Sequence, residues 1–500
     1  MNKLSRLTRN ALLLIFLFLM DKIVAFARLW IINRQFSDSV DLLDAFNSAN
    51  NLPDVLFALI SGGSLAMAFI PLITEYLEKK DRAAAWDLFS RVANLAFVVT
   101  GLASILVAIF ARPIVDIGIT PGFDAAQRGL VAELMRLNLI SLVIFSMSGL
   151  VMASLQANQH FLLPALAPIA YNVGQIFGAY FLAPRYGIHG LLYGVLIGAA
   201  LHLLIQLPAL SKFGFRWTPS LNVKNTGLVE AFKLLGPRLL TMGGIQAIVI
   251  IRDNLASRLP GDGSITALTN GWQIMQVPET VLGTAIATAL LPTLAQYASR
   301  ADWVGFRSTV EKALQILIAL ALPVSAVMIA GIAPVVRAFF SGFDEATSQL
   351  ILWTTRAYLL TLTGFVIHEV AARSFYARKE PMFPLFAVLL RLVLFLGIGI
   401  TAVTLFREVG APVIALAEIA VLIEAIVLFT WLSRRMHAPL QVGGALTRGL
   451  IAALAGGATA YGLALYVPGG AVTTSLLGMS AGGIVALVIV WKDARALLHL

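Results

Sequence analysis

The sequence contains no cysteine and few charged residues for its length. Of its 500 residues none is Cys, and only 12% are Asp, Glu, Lys or Arg. Without cysteine there can be no thiolate metal site, iron–sulfur cluster or cysteine nucleophile. Soluble domains carry about 25% charged residues, roughly twice the share found here. The composition therefore excludes a soluble enzyme, a disulfide-stapled secreted domain and a disordered tail.

Enzyme motifs and metal-ligand spacings are also missing from the sequence. It has no phosphate-binding loop, no G-x-S-x-G and no HExxH, and no soluble segment that could hold one. Its six histidines share no ligand spacing. We therefore expect no enzymatic activity, no metal site and no cofactor.

Long apolar runs dominate the sequence instead. Hydrophobic residues make up 59% of the chain, and runs of about 20 residues are long enough to cross a hydrocarbon core of about 30 Å. Their Gly, Pro and charged punctuation predicts an all-α polytopic membrane protein with fourteen helices. The predicted helices lie near 11–34, 51–76, 92–111, 130–155, 163–183, 188–210, 232–257, 266–298, 313–336, 350–371, 383–405, 412–432, 449–467 and 473–491.

Lys and Arg are distributed unevenly between alternate loops. With the N-terminus inside, 23 of the 36 Lys and Arg residues fall in cytoplasmic segments, 7 fall in outer loops, and the rest lie within helices. A positive-inside bias of this size is typical of correctly placed helices. Both termini are therefore predicted to be cytoplasmic, and the net charge of +10 needs no nucleic-acid partner to explain it.

Two patterns recur between the halves of the chain. Pro53-Asp54 in predicted helix 2 recurs as Pro278-Glu279 in predicted helix 8. A second pattern recurs at an offset of 220 residues, as Ser154, Ala157 and Pro164 and then as Ser374, Ala377 and Pro384. Helix 2 matching helix 8 indicates a six-helix unit repeated in the same orientation, about an axis along the membrane normal.

The repeat predicts a domain organisation. It consists of an N-terminal six-helix lobe at 1–210, a cytoplasmic linker at 211–231, a second six-helix lobe at 232–432 and two additional C-terminal helices at 433–500.

Three charged residues lie inside predicted helix 1. Asp21 and Arg28 are seven residues apart and share a face, whereas Lys22 is about 100° further round. Charges inside a membrane are costly, so each is a candidate functional residue. One interpretation is a cationic wall of a water-filled cavity that receives an anionic substrate. The alternative is a structural ion pair in which the charged ends of the side chains extend towards the membrane–water interface.

Polar residues also line predicted helices 2 and 8. Helix 2 carries a stripe that includes Asn51 and Asp54, and small residues at 61–64 permit close packing or a bend. Helix 8 carries Gln273, Gln276 and Glu279 at steps of three residues. Both sets are candidates to line or gate a cavity, and capping or interhelical hydrogen bonding is the alternative.

Arg252 and Asp253 are adjacent charged residues in predicted helix 7. The match of helix 2 to helix 8 has an offset of 225 residues at Pro53 and 221 at Pro71, and an offset within this range takes Arg28 to Arg252, so each half could contribute one arginine to a shared cavity. A self-satisfied interfacial ion pair is the alternative.

Short motifs occur in a consistent order along the chain. They are Phe26-Ala27-Arg28, Asp44-Ala45-Phe46, Asn51-Leu52-Pro53, Ala68-Phe69-Ile70-Pro71, Pro164-Ala165-Leu166-Ala167-Pro168 with Asn172, Gly236-Pro237, Leu291-Pro292-Thr293-Leu294 and Ser374-Phe375-Tyr376-Ala377-Arg378. This ordered series resembles that of the MurJ-type lipid II flippases of the MOP exporter superfamily. The resemblance implies two six-helix lobes around a central cavity in the bacterial cytoplasmic membrane. It also implies alternating-access transport of a polyprenyl-diphosphate-linked cell-wall precursor, among membrane lipids and with cell-wall synthesis proteins as partners.

The sequence departs from the family at the cavity arginines. Of four positions that usually hold arginine, one holds Lys22, one keeps Arg28, and two hold Phe57 and Gln273. Lysine keeps the charge but lacks the guanidinium fork. Arg252 is a candidate to compensate for the lost charge.

The predicted function is export of an anionic lipid-linked saccharide such as lipid II from the inner to the outer leaflet. Lys22, Arg28, Arg252 and Gln273 are the predicted substrate-binding residues, and Asp21, Asn51, Asp54, Asp253, Gln276 and Glu279 the predicted cavity or gating residues. Two alternatives remain: an exporter of another lipid-linked polysaccharide or amphiphilic drug, and a non-transporting scaffold for envelope assembly.

Overall fold

A computed structural model describes residues 6–59, 69, 72–77, 82–158, 160–222, 224, 228–436 and 438–496. The described residues are almost entirely helical and contain no β-strand. We label the long helices in chain order. They are α1 (Arg6–Gln35), α2 (Val40–Phe57), α3 (Arg82–Ile109), α4 (Ala125–Ala157), α5 (Leu162–Tyr186), α6 (Ile188–Lys212), α7 (Leu228–Ala256), α8 (Ser264–Ser299), α9 (Trp303–Gly331), α10 (Glu345–Ala377), α11 (Met382–Leu405), α12 (Ala411–Arg434), α13 (Gly443–Tyr466) and α14 (Ala471–Ile489).

Twelve of these helices are long and apolar enough to cross a membrane, counting only the described residues. They are α3 to α14, and each coincides with a predicted helix. The prediction of an all-α polytopic membrane protein is therefore confirmed. The small residues at 61–64 in predicted helix 2 lie outside the described part of the chain.

The predicted start of helix 2 at residue 51 is wrong, because α2 begins at Val40. The error arises from polar residues that look like a loop in sequence but pack inside the protein. Asp44 is 2% exposed and Ser48 is fully buried, and the Ser48 hydroxyl donates to the Asp44 carbonyl at 2.7 Å. One turn further on, Asn138 Nδ2 on α4 donates to Asn50 Oδ1 at 2.6 Å.

The chain forms two compact units, Met1–Ile250 and Ile251–Leu500, whose boundary lies inside α7. In the first unit α2 and α3 pack on α4, and α4 and α5 pack on α6. In the second unit α8 and α9 pack on α10, and α10 and α11 pack on α12. The same four pairings thus recur six helices later within each unit. The predicted domain boundaries themselves stay a prediction.

The segment that follows α6 lies against the start of α3. Trp86 Nε1 donates to the Phe213 carbonyl at 2.8 Å, and its ring packs edge-on against Phe215 with centroids 5.4 Å apart. Asn94 donates to the Thr218 carbonyl at 2.8 Å and accepts from Trp217 Nε1 at 2.9 Å. These contacts hold residues 213–218, part of the predicted linker, on the first unit.

The last two helices pack on each other and on α9 through small residues. A Cβ added to Gly482 of α14 would lie 2.4 Å from the Gly456 carbonyl oxygen of α13. Close backbone approach of this kind is how helices associate in membranes, where the hydrophobic effect between helices is absent. The adjacent Gly483 has nothing within 4 Å of such a Cβ.

π-helical turns occur within α8 and directly after α2. The π segment Thr280–Thr284 of α8 follows Pro278, and the π turns at Ala58 and Leu59 directly follow α2, which contains Pro53. Proline removes a backbone donor and distorts the helix, and π turns are frequent at functional sites. The irregular turns therefore follow the matched prolines Pro53 and Pro278.

Candidate functional site

Arg28 and Asp21 of α1 share a hydrogen-bond partner on α5. Asn172 Oδ1 accepts a hydrogen bond from Arg28 Nη1 at 2.9 Å, and Asn172 Nδ2 donates to Asp21 Oδ1, also at 2.9 Å. Asn172 is 6% exposed, because α5 packs directly on α1. We call these three residues the α1–α5 bridge. The bridge holds the guanidinium of Arg28 between α1 and α5 of the first unit.

Arg28 retains donor capacity beyond this bridge. Its Nε atom is buried and has no hydrogen-bond partner in the described part of the chain. The same guanidinium interacts electrostatically with Asp21, Asp54 and Tyr171. A buried donor without a partner costs about 1–3 kcal/mol. An anionic group that reached this guanidinium would recover that cost and form a charge-assisted hydrogen bond.

The two predicted cationic residues of α1 are not on one face. Lys22 and Arg28 are six residues apart, so their side chains point about 120° apart around the helix. Lys22 is exposed, whereas Asp21 and Arg28 are half-buried, and Asp54 on α2 is exposed. The structure therefore brings together Asp21, Arg28 and Asp54 but not Lys22.

Phe57, at a position where the family usually has arginine, packs in an aromatic cluster. Its ring centroid lies 5.4 Å from that of Phe145 on α4, and Phe145 lies 5.0 Å from Tyr171 and 5.2 Å from His202. Tilted and edge-on aromatic pairs of this kind stabilise helix packing beyond the area they bury. The missing charge is thus replaced by packing between α2, α4, α5 and α6.

Asn51 is 7% exposed and lies on α2, which packs on α4. Its neighbour Asn50 accepts a hydrogen bond from Asn138, whose own oxygen accepts one from Ser141 at 2.6 Å. Buried amides of this kind need partners because water cannot reach them. The polar stripe of α2 therefore forms a hydrogen bond with α4 at Asn50.

Arg252 and Asp253 of α7 pair with each other. Arg252 Nε donates to Asp253 Oδ1 at 2.7 Å, and the Asp253 side chain is fully buried. Arg252 is 8% exposed and also interacts with the buried Tyr358 on α10. This arrangement is the self-satisfied pair of the sequence analysis. Its predicted role in substrate binding stays a prediction.

The polar residues of α8 differ in accessibility. Gln276 is exposed, and Gln273 and Glu279 are half-buried. Glu279 Oε1 accepts a hydrogen bond from Thr284 across the π segment at 2.9 Å, and Glu279 interacts electrostatically with Arg373 and His368 on α10. A Cβ at Gly283 would lie 2.9 Å from Glu279 Oε1 and 3.4 Å from the backbone of Val366. The π segment thus directs Glu279 against α10.

Sequence reasoning assigned no role to a buried charged cluster on α10, α11 and α12. Arg391 contacts Glu418 and Glu424, and Glu424 contacts His368. Glu418 and Glu424 are on α12, Arg391 is on α11, and His368 is on α10, so α11 separates His368 from Glu424 in the chain. The available signal was the presence of opposite charges inside three consecutive predicted helices.

No group of three or more His, Asp or Glu residues in the described ranges is arranged to hold a metal ion. The residues that could instead bind a ligand are those with unused hydrogen-bonding capacity, above all Arg28. Its guanidinium suits phosphate or carboxylate oxygens.

Charged side chains inside the spans, repeated helix packings and a π-interrupted helix are features typical of multi-spanning transporters. A family model described as "Lipid II flippase MurJ" matches residues 33–480. The chain therefore belongs to the MurJ family, and the resemblance noted in the sequence is confirmed.

Curated relatives are similar over most of their length. The chain is 28% identical to the probable lipid II flippase MurJ of Buchnera aphidicola subsp. Acyrthosiphon pisum over 383 residues, covering 75% of this chain and 74% of that protein. It is 27% identical to the lipid II flippase MurJ of Burkholderia cenocepacia over 373 residues, covering 72% of each.

Solved structures share the fold. A lipid II flippase MurJ in an inward closed conformation matches with a TM-score of 0.81 and 20% identity, covering 97% of this chain and 100% of that one. An inward-facing multidrug resistance transporter of the MATE family matches with a TM-score of 0.69 and 16% identity, covering 82% and 93%. The chain therefore shares its fold with both of these transporters.

Proposed function

We propose that this protein moves a lipid-linked cell-wall precursor of the lipid II class from the inner to the outer leaflet of the bacterial cytoplasmic membrane. Membership of the MurJ family supports this substrate class over a different polysaccharide, a drug or a scaffold role. Flipping makes and breaks no covalent bond. To move the lipid between leaflets, the protein needs two conformations and a binding site that is exposed to each side in turn. The uneven distribution of Lys and Arg between alternate loops supports a cytoplasmic position for both termini.

The α1–α5 bridge is the observation that supports an anionic head group. Diphosphate oxygens are strong acceptors, and Arg28 offers a guanidinium that is fixed by Asn172 and has an unused buried donor. A preorganised guanidinium loses less conformational entropy on binding than a flexible one. We infer that Arg28 contacts the diphosphate and that Lys22, which is exposed, contributes long-range attraction.

The carboxylates of Asp21 and Asp54 limit how tightly the head group is held. Both interact electrostatically with Arg28 and would repel a diphosphate at the same site. Release at the far leaflet requires that binding is not too strong in either state. We propose that Asp21 and Asp54 gate the site by competing with the substrate for Arg28, and that Glu279 and Gln276 act on the α8 side of the repeat.

Growth of a bacterium depleted of its own flippase tests this proposal in cells. The wild-type chain is expected to restore growth, and Arg28→Ala is expected to fail while accumulating in the membrane at the normal level. Arg356→Ala is the matched control, since Arg356 belongs to the second unit, lies over the Trp353 ring at 4.8 Å and donates to the Ile329 carbonyl at 3.0 Å. Full rescue by Arg28→Ala, or no rescue by the wild type, would contradict the proposal.

A further inference from the structure

Gln175 of α5 has a buried amide nitrogen without a hydrogen-bond partner. The residue is 5% exposed, and its Nε2 atom makes no hydrogen bond within the described part of the chain. Buried amides in proteins almost always have partners, since an unsatisfied group loses its bonds to water without replacement. In Gln206 of α6, which is also buried, Nε2 donates to Ser148 Oγ at 2.9 Å and to the His202 carbonyl at 2.7 Å. The donor of Gln175 is thus free where that of Gln206 is used.

The exposed side of α5 lies opposite Gln175. Val173 is 48% exposed and Phe177 41%. Each is two residues from Gln175, which places it about 160° round the helix. Exposed apolar residues of a membrane-spanning helix face lipid, whereas polar residues face the interior of the helix bundle. Gln175 therefore points towards the helices of the first unit on which α5 packs, α1 and α6.

Glycines hold α5 against α6 on one side of Gln175. A Cβ at Gly174 would lie 2.3 Å from the Cα atom of Gly198, and one at Gly178 would lie 2.4 Å from the Cα atom of Gly194. The two backbones therefore touch, as they do where small residues face each other in membrane helices. This contact fixes the rotation of α5 about its own axis, and with it the direction of Gln175.

The α1–α5 bridge lies on the other side of Gln175. Asn172, three residues earlier, accepts the hydrogen bond from Arg28 Nη1 at 2.9 Å. Residues three apart are neighbours on a helix surface and are separated by about 4.5 Å along its axis. Gln175 is therefore the next polar side chain after Asn172 towards the C-terminal end of α5.

Tyr171 shows that this side of α5 is turned towards the charged residues. Its side chain interacts electrostatically with Arg28 and Asp54, and its ring packs edge-on against Phe145 with centroids 5.0 Å apart. Tyr171 and Gln175 are four residues apart, so they share a face of the helix. The face that carries the free amide is thus the face that meets the charges around Arg28.

Two buried nitrogen donors without partners, Arg28 Nε and Gln175 Nε2, are therefore connected through Asn172. A guanidinium suits anionic oxygens, whereas an amide N–H suits a neutral acceptor such as a hydroxyl or an acetamido carbonyl. A ligand in which an anionic group is followed directly by neutral oxygens would satisfy both donors. A sugar attached to a diphosphate has this order of groups.

We propose that Gln175 is a specificity-determining residue, which donates a hydrogen bond to a neutral oxygen of the sugar attached to the diphosphate. The inference rests on the proposed function, in which Arg28 binds the diphosphate. A site with a buried donor rejects an analogue that lacks the matching acceptor, because the donor is then left unpaired. Gln175 therefore favours a lipid that carries its sugar over the bare lipid diphosphate.

Binding of two lipids to the purified full-length protein tests the inference. Lipid II carries sugar on its diphosphate, and undecaprenyl diphosphate carries none. Wild type is expected to bind lipid II more tightly. Gln175→Leu keeps a similar volume without the donor, so its affinity for lipid II is expected to fall about three- to tenfold while that for undecaprenyl diphosphate stays unchanged. Gln175→Met gives the same comparison if the leucine variant does not fold.

Gln206→Leu is the matched control. It removes a buried glutamine from the same unit, but one whose amide nitrogen is bonded to Ser148 and to the His202 carbonyl. Its loss is expected to lower the thermal stability of the protein and to leave the ratio of the two lipid affinities unchanged. The ratio therefore separates recognition of the sugar from general damage to the packing of the first unit.

Two results would overturn the inference while the proposed function stands. A folded Gln175→Leu variant with wild-type affinity for lipid II would show that the amide serves packing alone. Equal losses of affinity for both lipids would show that the amide contacts the diphosphate instead of the sugar. The proposed function is judged on wild type by itself: if wild type neither binds nor flips lipid II, the proposed function fails and the inference falls with it.

Discussion

Asn172 holds Arg28 through a hydrogen bond of 2.9 Å that joins Arg28 Nη1 on α1 to Asn172 Oδ1 on α5, residues 144 positions apart in the chain. The same amide donates to Asp21. The neutral side chain of Asn172 therefore positions both the Arg28 guanidinium and the Asp21 carboxylate, which competes with the substrate for Arg28. The consequence is that substrate binding depends on Asn172 as well as on the charged residues.

Replacing Asn172 by leucine should reduce flipping without unfolding the protein. Leucine has a similar volume but can neither accept from Arg28 nor donate to Asp21. Hydrogen bonds to charged groups contribute about 1.5–3 kcal/mol, so the rate is expected to fall roughly ten- to a hundredfold. Initial flipping rates in proteoliposomes measure the effect. Asn158→Ala is the control, since Asn158 only caps α4 by donating to Ser154, and equal losses in both variants would argue against a specific role for Asn172.

Restoring arginine at Gln273 should tighten the binding of a lipid diphosphate. Gln273 is half-buried on α8 and stands where the family usually has a cavity arginine. A charge-assisted hydrogen bond to phosphate is roughly twice as strong as a neutral one. Binding measured over a range of ionic strength should show higher affinity and a steeper salt dependence in Gln273→Arg. Unchanged affinity, or loss of transport of the native substrate, would indicate that the site is tuned for a different head group.

Two adjacent glycines of α14 should respond differently to alanine. Gly482→Ala places a Cβ 2.4 Å from the Gly456 carbonyl oxygen and must separate α13 from α14, whereas Gly483→Ala meets nothing within 4 Å. Overpacking of this kind costs about 1–3 kcal/mol. Thermal unfolding in detergent is expected to shift downwards for Gly482→Ala alone. Equal melting temperatures for the two variants would contradict the close packing of α13 on α14.

The N-cap of α10 should give a small acid-dependent term in stability. Asp344 accepts a hydrogen bond from the Thr347 backbone N–H at 3.0 Å, and hydrogen bonding to Thr347 lowers the pKa of this carboxyl from its usual value of 3.8. Because the folded pKa is the lower one, the stabilisation is present above the unfolded pKa and is lost as the pH falls through the folded pKa.

The Asp344→Ala variant should therefore lose up to about 1 kcal/mol at pH 7 and less at an acid pH below the folded pKa. Asp344→Asn can still cap the helix and should remain near wild type at pH 7. Denaturation curves of the three proteins at both pH values measure the difference. An alanine variant as stable as wild type at pH 7 would show that the cap contributes nothing.

Much of the fold could be predicted because membrane spans depend on long apolar runs. The twelve spans α3 to α14 coincide with predicted helices, and the six-helix repeat reappears as the same helix pairings in each unit. The start of α2 could not be predicted, because Asp44 and Ser48 are polar residues that become buried only through packing on α4.

The candidate site was predictable only in part. Arg28 and Asp21 stand out as charges within one helix, but their shared partner Asn172 is an ordinary polar residue until α5 is placed beside α1. In the same way His368 appears isolated in α10, and only the packing of α12 on α10 brings Glu424 within 3.0 Å. Sequence identifies intramembrane charges, whereas their partners depend on tertiary structure.

The most direct test of the account is the flipping of fluorescent lipid II in proteoliposomes by wild type, Arg28→Ala and Arg28→Lys, with an undecaprenyl-diphosphate sugar as competitor. The account predicts rapid flipping by wild type, inhibition by the competitor through the shared diphosphate, partial activity for Arg28→Lys and none for a correctly folded Arg28→Ala. Equal flipping by wild type and Arg28→Ala would contradict the central claim that the guanidinium held by Asn172 binds the head group.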